Sequence, residues 1–207
     1  SYALVTGNTF TGHNIYNDSV IAKFGTGSDL QIFHDGSHSY IKDTGTGKLR
    51  ILSNEILIGN AADNENIAKF IENGAVELYH DNVKTFQTES NGVRIIGPEG
   101  GAGILKIYAD EGDDNADLWQ IKSDHVGSGL YLQNHSNGSS WEDGLQCVGA
   151  GAVNLFYDNS KKLETASWGV RCAEHLGLWD DKKITFGDGD DLEIYHDGSH
   201  SYIADTG

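Results

Sequence analysis

Proline, cysteine, methionine and basic residues are all scarce in this chain. Its 207 residues include one Pro, two Cys and no Met, and 14 Lys plus Arg stand against 31 Asp plus Glu. A single proline, with no Gly-X-Y period, excludes a collagen-like rod. Two cysteines, Cys147 and Cys172, are too few for the disulfide framework of a small secreted domain, so both read as free thiols. The formal net charge of −17 excludes nucleic acid and anionic lipid as partners, because such a surface repels phosphate. No apolar run reaches the ~18 residues of a membrane helix, so membrane insertion is not expected. No basic-then-apolar leader opens the chain. With no initiator Met, and an end that falls inside a repeated phrase, the sequence reads as a piece of something longer.

Glycine, by contrast, is abundant: 27 residues, nearly twice the ordinary usage of ~7%. Hydrophobic residues at 38% and charged residues at 22% mark a folded chain. Gly-rich and Pro-poor composition points to many tight turns between short strands. The turns recur in near-identical phrases. Residues 28–45 and 190–207 match at 14 of 18 positions, at a constant offset of 162. "GAVELYHDNVKTFQTESNGVRI" from Gly74 and "GAVNLFYDNSKKLETASWGVRC" from Gly151 share 12 of 22, at an offset of 77. One pattern, [LV]-x-[IL]-[FY]-[HY]-D-[GN], underlies both pairs and starts at Leu30, Val76, Val153 and Leu192. The starts lie 46, 77 and 39 residues apart, too irregular for a fixed-period solenoid.

Each copy predicts a β-hairpin. Leu30, Ile32 and His34 alternate with Gln31, Phe33 and Asp35, which puts the two sets on opposite faces of a strand. Asp35-Gly36 and Asp197-Gly198 are expected to fill both φ > 0 positions of a type I′ turn, as are Asp81-Asn82 and Asp158-Asn159. Asn73-Gly74 marks a further hairpin, and "LRIL" from Leu49 with "EILIG" from Glu55 suggests another meander. "ADNENIAKFIENG" has some helical character, yet its match to the glycine-containing "SVIAKFGTG" favours a strand. The middle, Ile104 to Gly149, lacks the repeat and carries Trp119 and Trp141, with alternation that again predicts strands, as a small barrel-like or prism-like insert.

These features predict an all-β chain with little or no helix. It would be built from repeated hairpin modules in an elongated fibre-like assembly of β-prism, β-helix or small sandwich units. Four segments follow: a connector at 1–23, a first hairpin module at 24–97, the Trp-containing insert at 98–150 and a second module at 151–207. "GPEGGAG", Gly97 to Gly103, is the expected joint.

Sequence motifs for chemistry are weak. No nucleophile elbow, zincin helix or phosphate-cradling loop is present. "FGDGDDLEI" from Phe186 departs from the tandem calcium nonapeptides, and "DEGDDNAD" from Asp110 lacks the EF-hand arrangement. Both read as solvated acidic turns. Among the four tryptophans, Trp168 replaces Asn91 of the aligned repeat directly before a Gly. It is expected at a turn and is the candidate ligand-binding residue, as a sugar-stacking platform.

The opening "GNTFTG" (Gly7 to Gly12), "DLQIFHDGSHSYI", "GAVELYHDN" and "YDNSKKLET" resemble repeat modules of tail-fibre and other virion structural proteins of marine bacteriophages. The resemblance covers about Gly7 to Gly207. It implies a non-enzymatic virion segment, on a tail fibre or other appendage assembled in the host cytoplasm. It also implies a homotrimer that contacts other virion tail proteins and a host surface glycan or protein. Fibres of this kind can hold a metal between close His pairs of three chains, so His34, His38, His196 and His200 are candidate metal ligands; with their spacing of four across a turn, no cofactor is the leading expectation. Two alternatives remain at this stage, a tailspike-like polysaccharide-degrading enzyme and a bacterial adhesin with metal-stabilised repeats.

Overall fold

The computed structural model describes residues 11–207. All but the last two residues of the Gly7–Gly12 motif lie outside that range. The chain is all-β, with four antiparallel sheets and, among the described residues, one short 3-10 turn at Asn115–Asp117 as the only helical element. Two compact units divide it, Ser1–Asn54 and Glu55–Gly207.

The first unit contains sheet A: β1 (Ala22–Phe24), β2 (Leu30–His34) and β3 (Ser39–Asp43), in that order. The second contains three sheets. Sheet B runs β4 (Glu55–Gly59), β5 (Asn66–Ile71), β6 (Val76–His80), β7 (Val83–Glu89) and β8 (Gly92–Ile95). Sheet C holds β9 (Gly103–Tyr108), β10 (Leu118–Ser123), β11 (Gly129–Asn134), β12 (Glu142–Val148), β13 (Val153–Tyr157), β14 (Ser160–Ala166) and β15 (Gly169–Cys172). Sheet D repeats sheet A with β16 (Lys183–Phe186), β17 (Leu192–His196) and β18 (Ser201–Asp205). Within each sheet every strand pairs with its neighbour in sequence, so all four sheets are meanders.

Three expectations need correcting. "LRIL" from Leu49 forms no strand. The middle segment is not a separate barrel-like insert: β9 to β12 join β13 to β15 in one open seven-stranded sheet, and β12 pairs with β13 across residue 150. A change in composition there leaves the backbone groups of β12 and β13 free to pair. Third, the Asp-Gly turns are not type I′. Gly36 and Gly198 have φ of 97° and 88°, but Asp35 and Asp197 are not in the left-handed region. Register His34↔Ser39 leaves a four-residue loop, closed by the Asp35 N–H donating to the His38 carbonyl at 3.1 Å. The Asp-Asn turns do follow expectation, with Asp81 and Asn82 at φ 52° and 59° and Asp158 and Asn159 at 51° and 56°.

The choice of Asn over Gly in these two-residue turns has a visible cause. Asn82 Oδ1 accepts from the Asn66 N–H at 2.8 Å, and its amide donates to the Asn64 carbonyl at 3.0 Å, tying the hairpin tip to the next strand. Asn159 Oδ1 accepts from the Asp143 N–H at 2.7 Å in the same way. The sheet A and D loops lie differently and carry Gly.

Burial in these sheets is inverted. Among the described residues, the buried polar ones are Gln120, Gln133, Glu142 and Asn154, while the only buried apolar one is Ala68. Registers explain this. In sheet C an unbroken apolar row, Leu105–Ile121–Leu132–Leu145–Leu155–Leu163–Cys172, crosses all seven strands on one face. In sheet B the row Ile58–Ala68–Leu78–Phe86–Ile95 crosses all five. Ala22–Ile32–Ile41 and Ile184–Ile194–Ile203 do the same in sheets A and D. Within these rows Leu78 remains 43% and Leu155 42% exposed.

The opposite faces cover themselves. Gln120 donates to Gln133 at 2.6 Å and Gln133 to Asp143 at 2.7 Å, a ladder of amides across three strands. Beside it, Asn154 donates to Gln146 and Gln146 to the Tyr131 hydroxyl, each at 2.8 Å, with the Lys122 ammonium over the Tyr131 ring.

Candidate functional site

The most ordered polar constellation is the His-Asp-Gly-Ser-His-Ser-Tyr loop, which occurs twice with the same geometry. Asp35 Oδ1 accepts from the N–H of Ser37 at 2.9 Å and of His38 at 2.8 Å, while Oδ2 accepts from the Tyr40 hydroxyl at 2.8 Å. Asp197 repeats this with Ser199 at 2.8 Å, His200 at 2.7 Å and Tyr202 at 2.9 Å. These donors, the His38 N–H first and the Ser37 N–H next, hold the Asp35 carboxyl below its ordinary range; for Asp197 the order is His200, then Ser199. The same carboxylates push the Tyr40 and Tyr202 hydroxyls up.

Stacked aromatic pairs extend each loop. Phe33 and Tyr40 face one another across β2 and β3 with centroids 4.7 Å apart and planes at 16°, and Tyr195 and Tyr202 at 4.8 Å and 18°. Sequence reading noted the duplicated phrase but not this stack. The signal was the aromatic at the pattern's fourth position and the Tyr seven residues on, which the register brings opposite each other.

The four candidate metal ligands fall on two loops, His34 and His38 in the first unit and His196 and His200 in the second. His34 Nδ1 lies 3.1 Å from Ser39 Oγ and His196 Nδ1 3.2 Å from Ser201 Oγ. His38 and His200 stand on the loops, 3.9 Å from Asp35 and Asp197 respectively. His34 shares the face of Ile32, and His196 that of Ile194, because each lies two residues along the same strand. Among the described residues, the groups of three that could hold an ion are Asp110, Glu111 and Asp113, and Asp113, Asp114 and Asp117; most of these acids are exposed, and no histidine joins them.

Trp168 sits at the tip between β14 and β15, before Gly169, and is 72% exposed. Trp119 lies in sheet C, and Trp141 packs edge-on against His135 at 5.3 Å.

A second polar cluster braces sheet B. Glu77 accepts from Lys84 at 2.8 Å and from the Tyr79 hydroxyl. Lys84 and then Tyr79 lower the Glu77 pKa, while Glu77 pushes Tyr79 up to about 12. In sheet C, Glu164 takes Lys161 and Arg171 as ion-pair partners. These groups brace a sheet surface and do not converge on a cleft.

Both cysteines are free and half-buried. No helix among the described residues is long and apolar enough to cross a membrane. No protein-family model matches the chain, and no curated protein matches its sequence.

Proposed function

We propose that this chain is a non-enzymatic segment of a bacteriophage virion appendage, a tail fibre or related structural protein, that gives length and grips a host-cell surface glycan or protein. Its copies associate as a homotrimer through the apolar rows, and its ends join other virion tail proteins assembled in the host cytoplasm. The observation that carries the reading is the inverted burial: four meanders, each with one bare apolar row and one face of polar groups. The charged groups segregate accordingly. In sheet B, Lys69, Glu77 and Gln87 lie on the face opposite the Leu78 row, which keeps these polar groups away from a row apposed to it. Three-fold association is what the resemblance to phage fibres implies, and repeated weak contacts along such an assembly add avidity.

The test uses the fluorescently labelled assembled protein on a panel of marine bacterial strains and their purified capsular and lipopolysaccharides. Retention on a subset of strains, with polysaccharide chain length unchanged, is the expected result. Shortened polysaccharide would replace this reading with the tailspike-like enzyme.

A further inference from the structure

We infer that Tyr40 on β3 and Tyr202 on β18 are twin stacking platforms for neutral sugar rings, an inference that rests on the adhesive reading above. Their place in the sheets carries it. Tyr40 pairs with Phe33, which alternates with Ile32 along β2 and so lies on the face away from the apolar row. When copies cover the row, the aromatic pair stays outward. Phe33 covers the inner face of the Tyr40 ring. No strand lies beyond β3 in its sheet, nor beyond β18 in sheet D. The outer faces are therefore left to solvent, and Tyr40 and Tyr202 keep 37% and 38% exposure. His38 and His200 flank these rings at 6.3 and 6.4 Å, tilted by 60°.

The rings are fixed before any ligand arrives. Asp35 Oδ2 holds the Tyr40 hydroxyl while Oδ1 clamps the loop, and Asp197 does the same for Tyr202. Such preorganisation lowers the ordering cost of binding. Polar groups ring each platform. A side chain at Gly36 would meet Asp18 Oδ2 at 3.6 Å, and one at Gly198 would meet Asp180 Oδ2 at 3.4 Å, which places a further carboxylate at each loop. Exposed His38 and Ser37, with His200 and Ser199 in the twin, complete the set.

A flat π-face beside carboxylate, imidazole and hydroxyl matches a pyranose, whose C–H face stacks while its hydroxyls find the polar rim. Asp18, Asp180 and the chain's net charge of −17 disfavour sialic, uronic or phosphorylated sugars. Asp, Ser, His and Tyr are the same in both loops, whereas Phe33/Tyr195 and Lys42/Ala204 differ.

The experiment presents the assembled wild-type protein to an array of neutral, sialylated and uronate-bearing oligosaccharides, beside Tyr40→Ala, Tyr202→Ala, the double alanine variant and Tyr40→Phe/Tyr202→Phe. Binding confined to neutral sugars is expected. Each single alanine should weaken it, the double should lower it about tenfold or more through lost avidity, and the phenylalanine pair should retain most of it. No sugar bound by wild type overturns the inference, as does a double alanine variant of unchanged assembly mass that binds like wild type. Either of those, with assembly and cell retention intact, leaves the fibre reading standing; a chain that neither assembles nor adheres removes that reading as well.

Discussion

Leu155→Asp is the sharpest perturbation of the proposed interface. Leu155 lies mid-row in sheet C, between Leu145 and Leu163, and is 42% exposed. Full burial of a leucine is worth about 1.5–3 kcal/mol, so covering the remaining 42% contributes roughly 0.6–1.3 kcal/mol per chain and about 2–4 kcal/mol per trimer. Leu155→Ala forfeits that amount and should turn the assembly into a concentration-dependent mixture. Aspartate adds a carboxylate that must lose its water on association, at a cost of several kcal/mol per ion. In the separate chain the same aspartate keeps contact with solvent and is tolerated. Light scattering at micromolar protein should therefore find Leu155→Asp at the 22.4 kDa chain mass, while Gln87→Glu, on the charged face of sheet B, assembles as wild type. A Leu155→Asp protein with wild-type mass and thermal midpoint would refute the reasoning.

Other outcomes follow from the same geometry. The depressed Asp35 and Asp197 pKa values mean that their contribution to loop order is fully present above the ordinary carboxyl value of 3.8 and is lost as pH falls through the lower folded values. An NMR titration should show a transition of the His38 and His200 amides with its midpoint below pH 3.8, and Asp35→Asn/Asp197→Asn should abolish that transition. Alkaline difference spectroscopy should find Tyr79 ionising near 12, and Glu77→Gln should bring it back towards 10. Asn82→Gly relieves a left-handed non-glycine residue but frees two hydrogen bonds, so chemical denaturation should register a net loss of about 1 kcal/mol. Metal analysis of the purified assembly should find no stoichiometric ion, since the three-ligand groups among the described residues include no histidine; a metal that vanishes in His34→Ala/His196→Ala would contradict this.

Local structure was legible wherever a local signal decided it. The four pattern copies gave four hairpins, and "IAKF" gave β5 despite its helical flavour, because its glycine-bearing counterpart forms β1. The Asp-Gly loops misled because Asp-Gly serves both a two-residue turn and a four-residue loop. The choice falls to the Asp carboxylate, which finds the Tyr40 hydroxyl only after the strands are in register. "LRIL" has the alternation of a strand, but pairing is a long-range event that its own residues do not encode. The join of β12 to β13 was hidden for the same reason. Inverted burial was half visible: alternation announced one apolar face per strand, and only the fold shows that row residues such as Leu78 and Leu155 stay about two-fifths exposed. The candidate site was legible as a duplicated phrase and not as an aromatic platform, because Phe33 and Tyr40 meet only through the register of two strands.

The most direct test is the molar mass of the unmodified chain in solution, by sedimentation equilibrium from nanomolar to micromolar concentration. The proposed homotrimer predicts a mass of three times 22.4 kDa, about 67 kDa, persisting on dilution. A well-folded species of 22.4 kDa across the whole range, with strand content intact, would contradict it.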